Sequence, residues 1–469
     1  MSDLLAALAQ IVGAGHVLTG AETAPWDSDW TGHYRGAPLA VVRPADRDEV
    51  AAVLRLAAAQ GVAVVPVSGN TGLNGGALGA GAIALSLGRL NRLREIRADA
   101  RIAVVEAGVI VDALNAAAAE QGLMFPLSFG ASGSAMIGGV LSTNAGGANV
   151  LRYGNTRDLC LGVEVVLADG RVMDLMTALH KNNAGFDLRD LVIGAEGQLG
   201  IITAAVLKLH PLPATVVTAM VAMETLDPAS GLLNALQDAS GNAVVAFEFM
   251  PRSFVEGYLE IAPDSREPFD APHPVNLLVE LAAPQPGEGP GAALESVLAA
   301  AMEAGTVTDA VIAQNETQRR QMWARREAAA EISFRRNPVI DTDIAVPRDL
   351  VADYLRRIGP RLQARDPGCG LMSVAHLGDG NIHYTCYPTR DDPALMADLR
   401  AEIDALAMEL NGTFSAEHGV GLSKLAPMAR YKDPVALDVM RAIKAALDPQ
   451  GILNPGKTLP PAGANRTGD

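Results

Sequence analysis

Two histidines seven residues apart, His376 and His383, close the stretch HLGDGNIH. An odd separation would put them on opposite faces of one strand, but Gly378, Asp379, Gly380 and Asn381 are residues of a tight turn. With these four as the loop, Leu377 is expected to pair with Ile382, and His376 to lie directly across from His383. Cross-strand partners on one face stand ~5 Å apart, close enough for two imidazoles to share a metal ion. A candidate carboxylate occurs in FSAEHGVG, residues 414–421, where Glu417 and His418 are adjacent. In an extended segment neighbouring side chains point opposite ways, so Glu417 could complete a His2Glu site while His418 faces something else. A surface hairpin and an unrelated charged turn remain the alternative on spacing alone.

Two loops are richer in glycine than turns require. PVSGNTGLNGG, residues 66–76, follows directly on a strand pattern and mixes four glycines with Ser68, Asn70, Thr71 and Asn74. Successive backbone N–H groups in such a run can turn inward as an anion cradle, with hydroxyl and amide side chains adding donors. It is neither a P-loop nor GxGxxG. SFGASGSAMIGGVLSTNAGG, residues 128–147, likewise lets backbone approach a large flat ligand. Ordinary turn chemistry would explain either loop singly; two in one α/β region favour a dinucleotide-like cofactor.

The elements that must position these residues begin with an amphipathic helix at the N-terminus, MSDLLAALAQIVG, which lacks the basic start of a signal peptide. A strand ending at Pro44 leads to a helix opened by Asp46 with Glu49 three residues on, its buried face formed by Val50, Val53, Leu54 and Ala57. Asp169-Gly170 reads as a hairpin turn. From about Pro213 to Phe414, strands such as VVTAMVAM, VVAFEF, VNLLVEL and LMSVAHL alternate with helical stretches around 290–304, 314–335, 347–363 and 392–410, without a glycine-rich loop. This stretch reads as a cap or substrate domain. A last helix is expected from about Pro434 to Leu447, before DPQGILNPGK.

At 469 residues the chain exceeds what one core usually supports, and its 49% hydrophobic content suffices for two. The net charge of −16 argues against nucleic acid and anionic membranes as partners. Cys160, Cys369 and Cys386 are too dispersed for a disulfide framework, which fits a cytoplasmic protein, and no apolar run is long enough to span a bilayer.

In the order and identity of its motifs, the chain resembles the vanillyl-alcohol-oxidase, or PCMH-type, FAD proteins, in particular the D-lactate, glycolate and D-2-hydroxyglutarate dehydrogenases. The matching segments are PVSGNTGLNGG, IGGVLSTNAGG, RYGNTRDL, FDLRDLVIGAEGQLGIIT, HLGDGNIH, EHGVG and NPGK, spread over nearly the whole chain. The resemblance implies an α+β fold: a two-part FAD-binding domain (1–212 and the returning segment 415–469) with an inserted cap (213–414) that bears an antiparallel sheet flanked by helices. It implies FAD contacts at Ser68, Gly69, Asn70, Thr71, Gly72, Leu73 and Asn74, at Ser132, Gly138, Gly139, Thr143 and Asn144, at Glu196, Gly197, Gly200 and Ile202, and at Asn454. With no histidine in either glycine loop, a non-covalent flavin is expected. The resemblance further implies a divalent metal, Zn or Mn, on His376, His383 and Glu417, with His418 as catalytic base and Arg326 on the substrate carboxylate.

Against the D-2-hydroxyglutarate enzymes it resembles, the chain departs where they carry a threonine, a lysine and an asparagine; here these positions read Ala330, Asp341 and Thr385. The expected activity is therefore FAD- and metal-dependent oxidation of a D-2-hydroxy acid favouring monoacids such as D-lactate. D-2-hydroxyglutarate oxidation is the alternative, and a non-catalytic FAD-binding subunit the alternative of another class. Expected partners are a small 2-hydroxy acid, an electron acceptor such as an electron-transfer flavoprotein, quinone or cytochrome, and a second copy in a homodimer.

Overall fold

The computed structural model describes residues 2–463. By internal contacts the chain divides into two units: 1–146, 154–211 and 417–469 form one, and 147–153 with 212–416 form the other. The boundaries fall one residue before and two residues after those expected from sequence, and the short excursion 147–153 was not foreseen.

The first unit holds a four-stranded sheet in the order Val17–Leu18, Ala40–Val42, Ile83–Ser86, Val64–Val67, parallel among its last three strands. Its main helix, Arg47–Gln60, starts where the Asp46 carboxylate accepts the N–H groups of Asp48 and Glu49. Glu49 Oε2 reaches back to the N–H of Ala45 at 2.7 Å, so helix entry is held from both sides. Val50, Val53, Leu54 and Ala57 are buried in the core, as their spacing requires. The C-terminal stretch returns to this sheet: Val64 donates to Ile452 O, and Asn454 donates to Val64 O, each at 2.8 Å. A five-stranded antiparallel sheet, Leu93–Arg97, Ile102–Glu106, Ile201–Lys208, Cys160–Val166, Val172–Leu175, completes the unit. Its last pair is the hairpin predicted at Asp169-Gly170.

The second unit is built on one antiparallel sheet of seven strands, in the order Asp309–Ile312, Thr215–Met223, Val275–Ala283, Val244–Pro251, Gly370–His376, Asn381–Tyr387, Ile340–Ala345. Alternation along each strand sorts side chains to two faces. Phe247, Phe249, Val279, Ala375, Ile382, Tyr384 and Cys386 belong to a large apolar core with residues of the helices Ala229–Ser240, Gly289–Glu303, Val351–Arg365 and Pro393–Glu409. The opposite face joins Met220, Ala246, Met250, Leu278, Met372 and Val374 to the helices Arg252–Ile261, Glu316–Glu327 and Ala329–Ser333. The helical stretch expected at 314–335 is thus two helices, interrupted at Ala328.

Candidate active site

Glu248, His376 and His383 stand among the apolar residues of the second face. The hairpin between Gly370–His376 and Asn381–Tyr387 pairs His376 with Asn381, Ala375 with Ile382 and Val374 with His383. The expected register, with His376 directly across from His383, is therefore off by two residues along the partner strand. The turn is Leu377–Gly380, because Gly380 takes a left-handed φ of 87° and its carbonyl accepts the Val346 N–H at 3.1 Å. His383 lies two residues beyond Asn381, so it still shares a face with His376, as a diagonal neighbour. The two ring centroids are 5.5 Å apart.

Glu417 does not sit in an extended strand; residues 416–418 bend, so the expected alternation of Glu417 and His418 does not apply. His376, His383 and Glu417 nevertheless each offer one ligand atom, all within 4.8 Å of one another. Two imidazoles and a carboxylate at that separation form a donor set that fits a divalent cation such as zinc or manganese.

Behind His376 stands a group that the sequence reading passed over. The Glu248 carboxylate is 1% exposed and lies 2.8 Å from His376 Nδ1 and 2.7 Å from Arg326 Nε. Burial alone would raise its pKa, but the neighbouring His376 and Arg326 outweigh that, and the group is held below the ordinary carboxylate value. A carboxylate on the non-ligating nitrogen of a histidine fixes its tautomer and ring orientation. The signal was present in sequence as a lone acid inside the apolar run VVAFEF. Arg326 itself is 7% exposed; its Nη2 lies 3.2 Å from His376 Nε2. Asp343 is directly across from His383 on the neighbouring strand and is also buried. Asp341 pairs with Thr385 and accepts its hydroxyl at 3.0 Å, on the face that carries His383.

In the first unit the glycine segments converge. A Cβ on Gly69 would run into the carbonyl of Ser134, and one on Gly139 would lie 3.1 Å from Ser68 Cβ, so the two loops meet backbone to backbone. The third segment closes onto the second: Gly194 N–H donates to Leu141 O, and Glu196 N–H to Ser142 O at 2.8 Å. The helix carrying Gly138 and Gly139 ends at Thr143, followed by Asn144 with φ 53°. Ser68, Thr71, Leu73 and Ser132 are half-buried and Gly72 is exposed along these loops. Gly197 packs against Pro66, Gly200 abuts Val165 just ahead of the strand Ile201–Lys208, and Ile202 is buried within that strand opposite Val165.

Two other candidates hold protein rather than open space. Asn74 Nδ2 donates to His418 O at 2.6 Å, and Glu196 accepts the N–H groups of Val420 and Gly421 at 2.8 Å each. They shape the backbone that carries His418.

Non-glycine residues with left-handed φ are rare and costly. Four of those present here, Asn70, Asn144, Glu196 and Asn454, are among the expected cofactor residues. Asn454 is 1% exposed and its Oδ1 has no hydrogen-bond partner. Loops without Cβ at the close approach, strained backbone and an orphaned buried acceptor are what a large polar cofactor would fill, and FAD fits them.

Comparison with known proteins gives the same class. The FAD binding domain family matches residues 38–176, and the family of FAD linked oxidases, C-terminal domain, matches 212–458. This chain belongs to the FAD-linked oxidases and is an oxidoreductase with the PCMH-type FAD-binding fold. It is 38% identical over 437 residues to a D-2-hydroxyglutarate dehydrogenase from Xanthomonas citri pv. viticola, covering 92% of this chain and 91% of that one. The mitochondrial D-2-hydroxyglutarate dehydrogenase of Bos taurus is 36% identical over 469 residues, covering 98% and 84%. Among solved structures, p-cresol methylhydroxylase with substrate bound superposes with a TM-score of 0.75 at 17% identity, covering 98% of this chain and 96% of that one. An alkyldihydroxyacetonephosphate synthase reaches 0.72 at 16%, covering 97% and 86%. These two share the fold.

Proposed function

We propose that this protein oxidises a D-2-hydroxy acid to the 2-oxo acid, and that D-2-hydroxyglutarate is the substrate its relatives favour. The observation that carries the reading is the His376, His383, Glu417 donor set, backed by Glu248, in a chain of the FAD-linked oxidases. FAD, held non-covalently by the converging loops, would supply the hydride acceptor. A divalent metal on the three donors would supply a Lewis acid that lowers the pKa of a bound hydroxyl.

The chain's own groups then have separate tasks. His418 takes the hydroxyl proton as the C2 hydrogen leaves with its electron pair. Arg326, pinned by Glu248, places a fixed positive charge beside His376 and favours a substrate carboxylate there. Glu248 keeps His376 in one tautomer. The reduced flavin would be reoxidised by a carrier such as an electron-transfer flavoprotein, quinone or cytochrome. A cytoplasmic location and a homodimer belong to the same proposal; among the described residues no helix is long and apolar enough to cross a membrane.

A monoacid such as D-lactate is the second reading, favoured by Asp341. That carboxylate shares a sheet face with His383, at a position where the resembled diacid enzymes carry lysine. At about 4 Å from a distal carboxylate, with an effective dielectric near 20, the repulsion is ~4 kcal/mol, close to a thousandfold in affinity.

Anaerobic flavin bleaching by a panel of D- and L-2-hydroxy acids, before and after chelation, tests both. Chelator-sensitive bleaching by D-2-hydroxyglutarate supports the first reading, and bleaching by D-monoacids alone supports the second. Retained flavin with no bleaching by any of them would sink both and leave a non-catalytic FAD subunit. The double change Asp341→Lys with Thr385→Asn should raise diacid turnover at least tenfold if Asp341 sets specificity.

A further inference from the structure

The NPGK turn carries a buried cation, Lys457, on the segment that returns to the first unit's parallel sheet. Lys457 is 5% exposed, and among the described residues its ammonium makes no hydrogen bond. Burial pushes its pKa down to about 8, with the charge of Glu196 acting the other way. Glu196 is already occupied by the N–H groups of Val420 and Gly421 and is also under the charge of Lys424.

The turn is held rigidly. Gln198 Nε2 donates to Asn454 O at 2.6 Å and to Lys457 O at 2.9 Å. Asn454 Nδ2 donates to Gly76 O and Glu196 O, which leaves Asn454 Oδ1 as the unpartnered acceptor. Asn454 and Thr458 both hold left-handed φ, at 42° and 63°, and a β-branched residue there is a strong outlier. One strained turn thus presents a buried donor without acceptor and a buried acceptor without donor. A phosphate could satisfy the lysine but has nothing to give Asn454 Oδ1. The pyrimidine edge of a flavin ring satisfies both, since its C2 carbonyl accepts and its N3–H donates.

We propose that Asn454 and Lys457 read the pyrimidine edge of the flavin, and that Lys457 stabilises the negative charge which the N1–C2=O region gains when the flavin is reduced. Lys457 is thereby a determinant of the flavin's reduction potential. The proposal rests on FAD binding, and its test separates the two.

The holoenzyme and the variants Lys457→Met, Lys457→Gln and Lys457→Arg are compared by FAD absorbance, midpoint potential and sulfite affinity. Sulfite addition at flavin N5 places charge on N1 and so reports the same cation. Loss of the ammonium should shift the reduced-to-oxidised ratio by about tenfold or more, ~30 mV downward for a two-electron couple. Sulfite affinity should fall in parallel, and Lys457→Arg should restore most of both. Retained FAD with unchanged potential and unchanged sulfite affinity in Lys457→Met or Lys457→Gln overturns the assignment while leaving FAD binding intact. If neither neutral variant folds, the wild-type potential decides: it should lie above that of free FAD, and a value below overturns the role. A wild type that holds no FAD at all would refute the cofactor reading itself.

Discussion

The two faces of the seven-stranded sheet have the same strands and opposite chemistry. On one, Phe247, Ile382, Tyr384 and Cys386 meet four helices with scarcely a polar atom. On the other, Met220, Ala246 and Val374 surround Glu280, Glu248, His376 and His383, and the helix Glu316–Glu327 answers the two glutamates with Arg319 and Arg326. The first face is replaceable packing, stabilised by area removed from water. The second is costly to bury and holds only because each charge has a partner. Where a fold spends stability on paired charges beside an array of metal-ligand atoms, the array is the more economical explanation of the charges.

The comparison breaks most severely if the donor set is removed. His383→Ala or Glu417→Gln should lower turnover by about a thousandfold or more with FAD still bound, read by anaerobic flavin reduction. Removing the support should act on two quantities together. Glu248→Gln leaves Arg326 unpaired and should cost ~3–5 kcal/mol in chemical denaturation, and metal affinity should drop about 10–100-fold in titration.

On the apolar face, Leu399→Ala should cost ~2–5 kcal/mol by the same denaturation assay, with unchanged activity per folded molecule. Comparable destabilisation without loss of metal affinity is what separates the faces, and a loss of affinity here would erase the distinction. The smallest effect sharpens the contrast from outside the sheet. In the first unit, burial acts to raise the pKa of Glu106, but hydrogen bonds from Arg92 and Arg94 prevail and hold it below the ordinary value. A depressed carboxylate contributes stability above its unfolded pKa of ~4.3 that is lost as pH falls through the folded value. Glu106→Gln should therefore flatten the acid limb of the stability curve below about pH 4 and leave turnover unchanged.

Much of this could be read in the chain. The near-continuous apolar, β-branched runs VVTAMVAM and VNLLVEL read as strands, and both are buried along most of their length because the sheet is covered on both faces. Asp46 with Glu49 announced a helix start whose bonds form as expected. The histidines were recognised as neighbours, yet their register was misjudged, since both four-residue loops use turn residues and the choice rests on bonds to other strands, such as those of Gly380 to Val346 and Gly378 to Phe247. Glu248 was missed because a hydrophobic run hides its exception unless the partner, Arg326, is known to lie near it. The bend at 416–418 depends on Asn74 and Glu196, more than two hundred residues distant in sequence, and no local pattern encodes it.

The helix Glu316–Glu327 is fastened at two points. Arg319 binds Glu280 and Arg326 binds Glu248, on adjacent strands, and the arginines stand seven residues apart. A residue inserted between them would turn one guanidinium by about 100° around the helix axis. Such an insertion would strand a glutamate in the sheet and remove the support of His376 at once. This helix should therefore tolerate altered side chains far better than altered length, and among relatives gaps should accumulate before Arg319 or after Arg326, never between them.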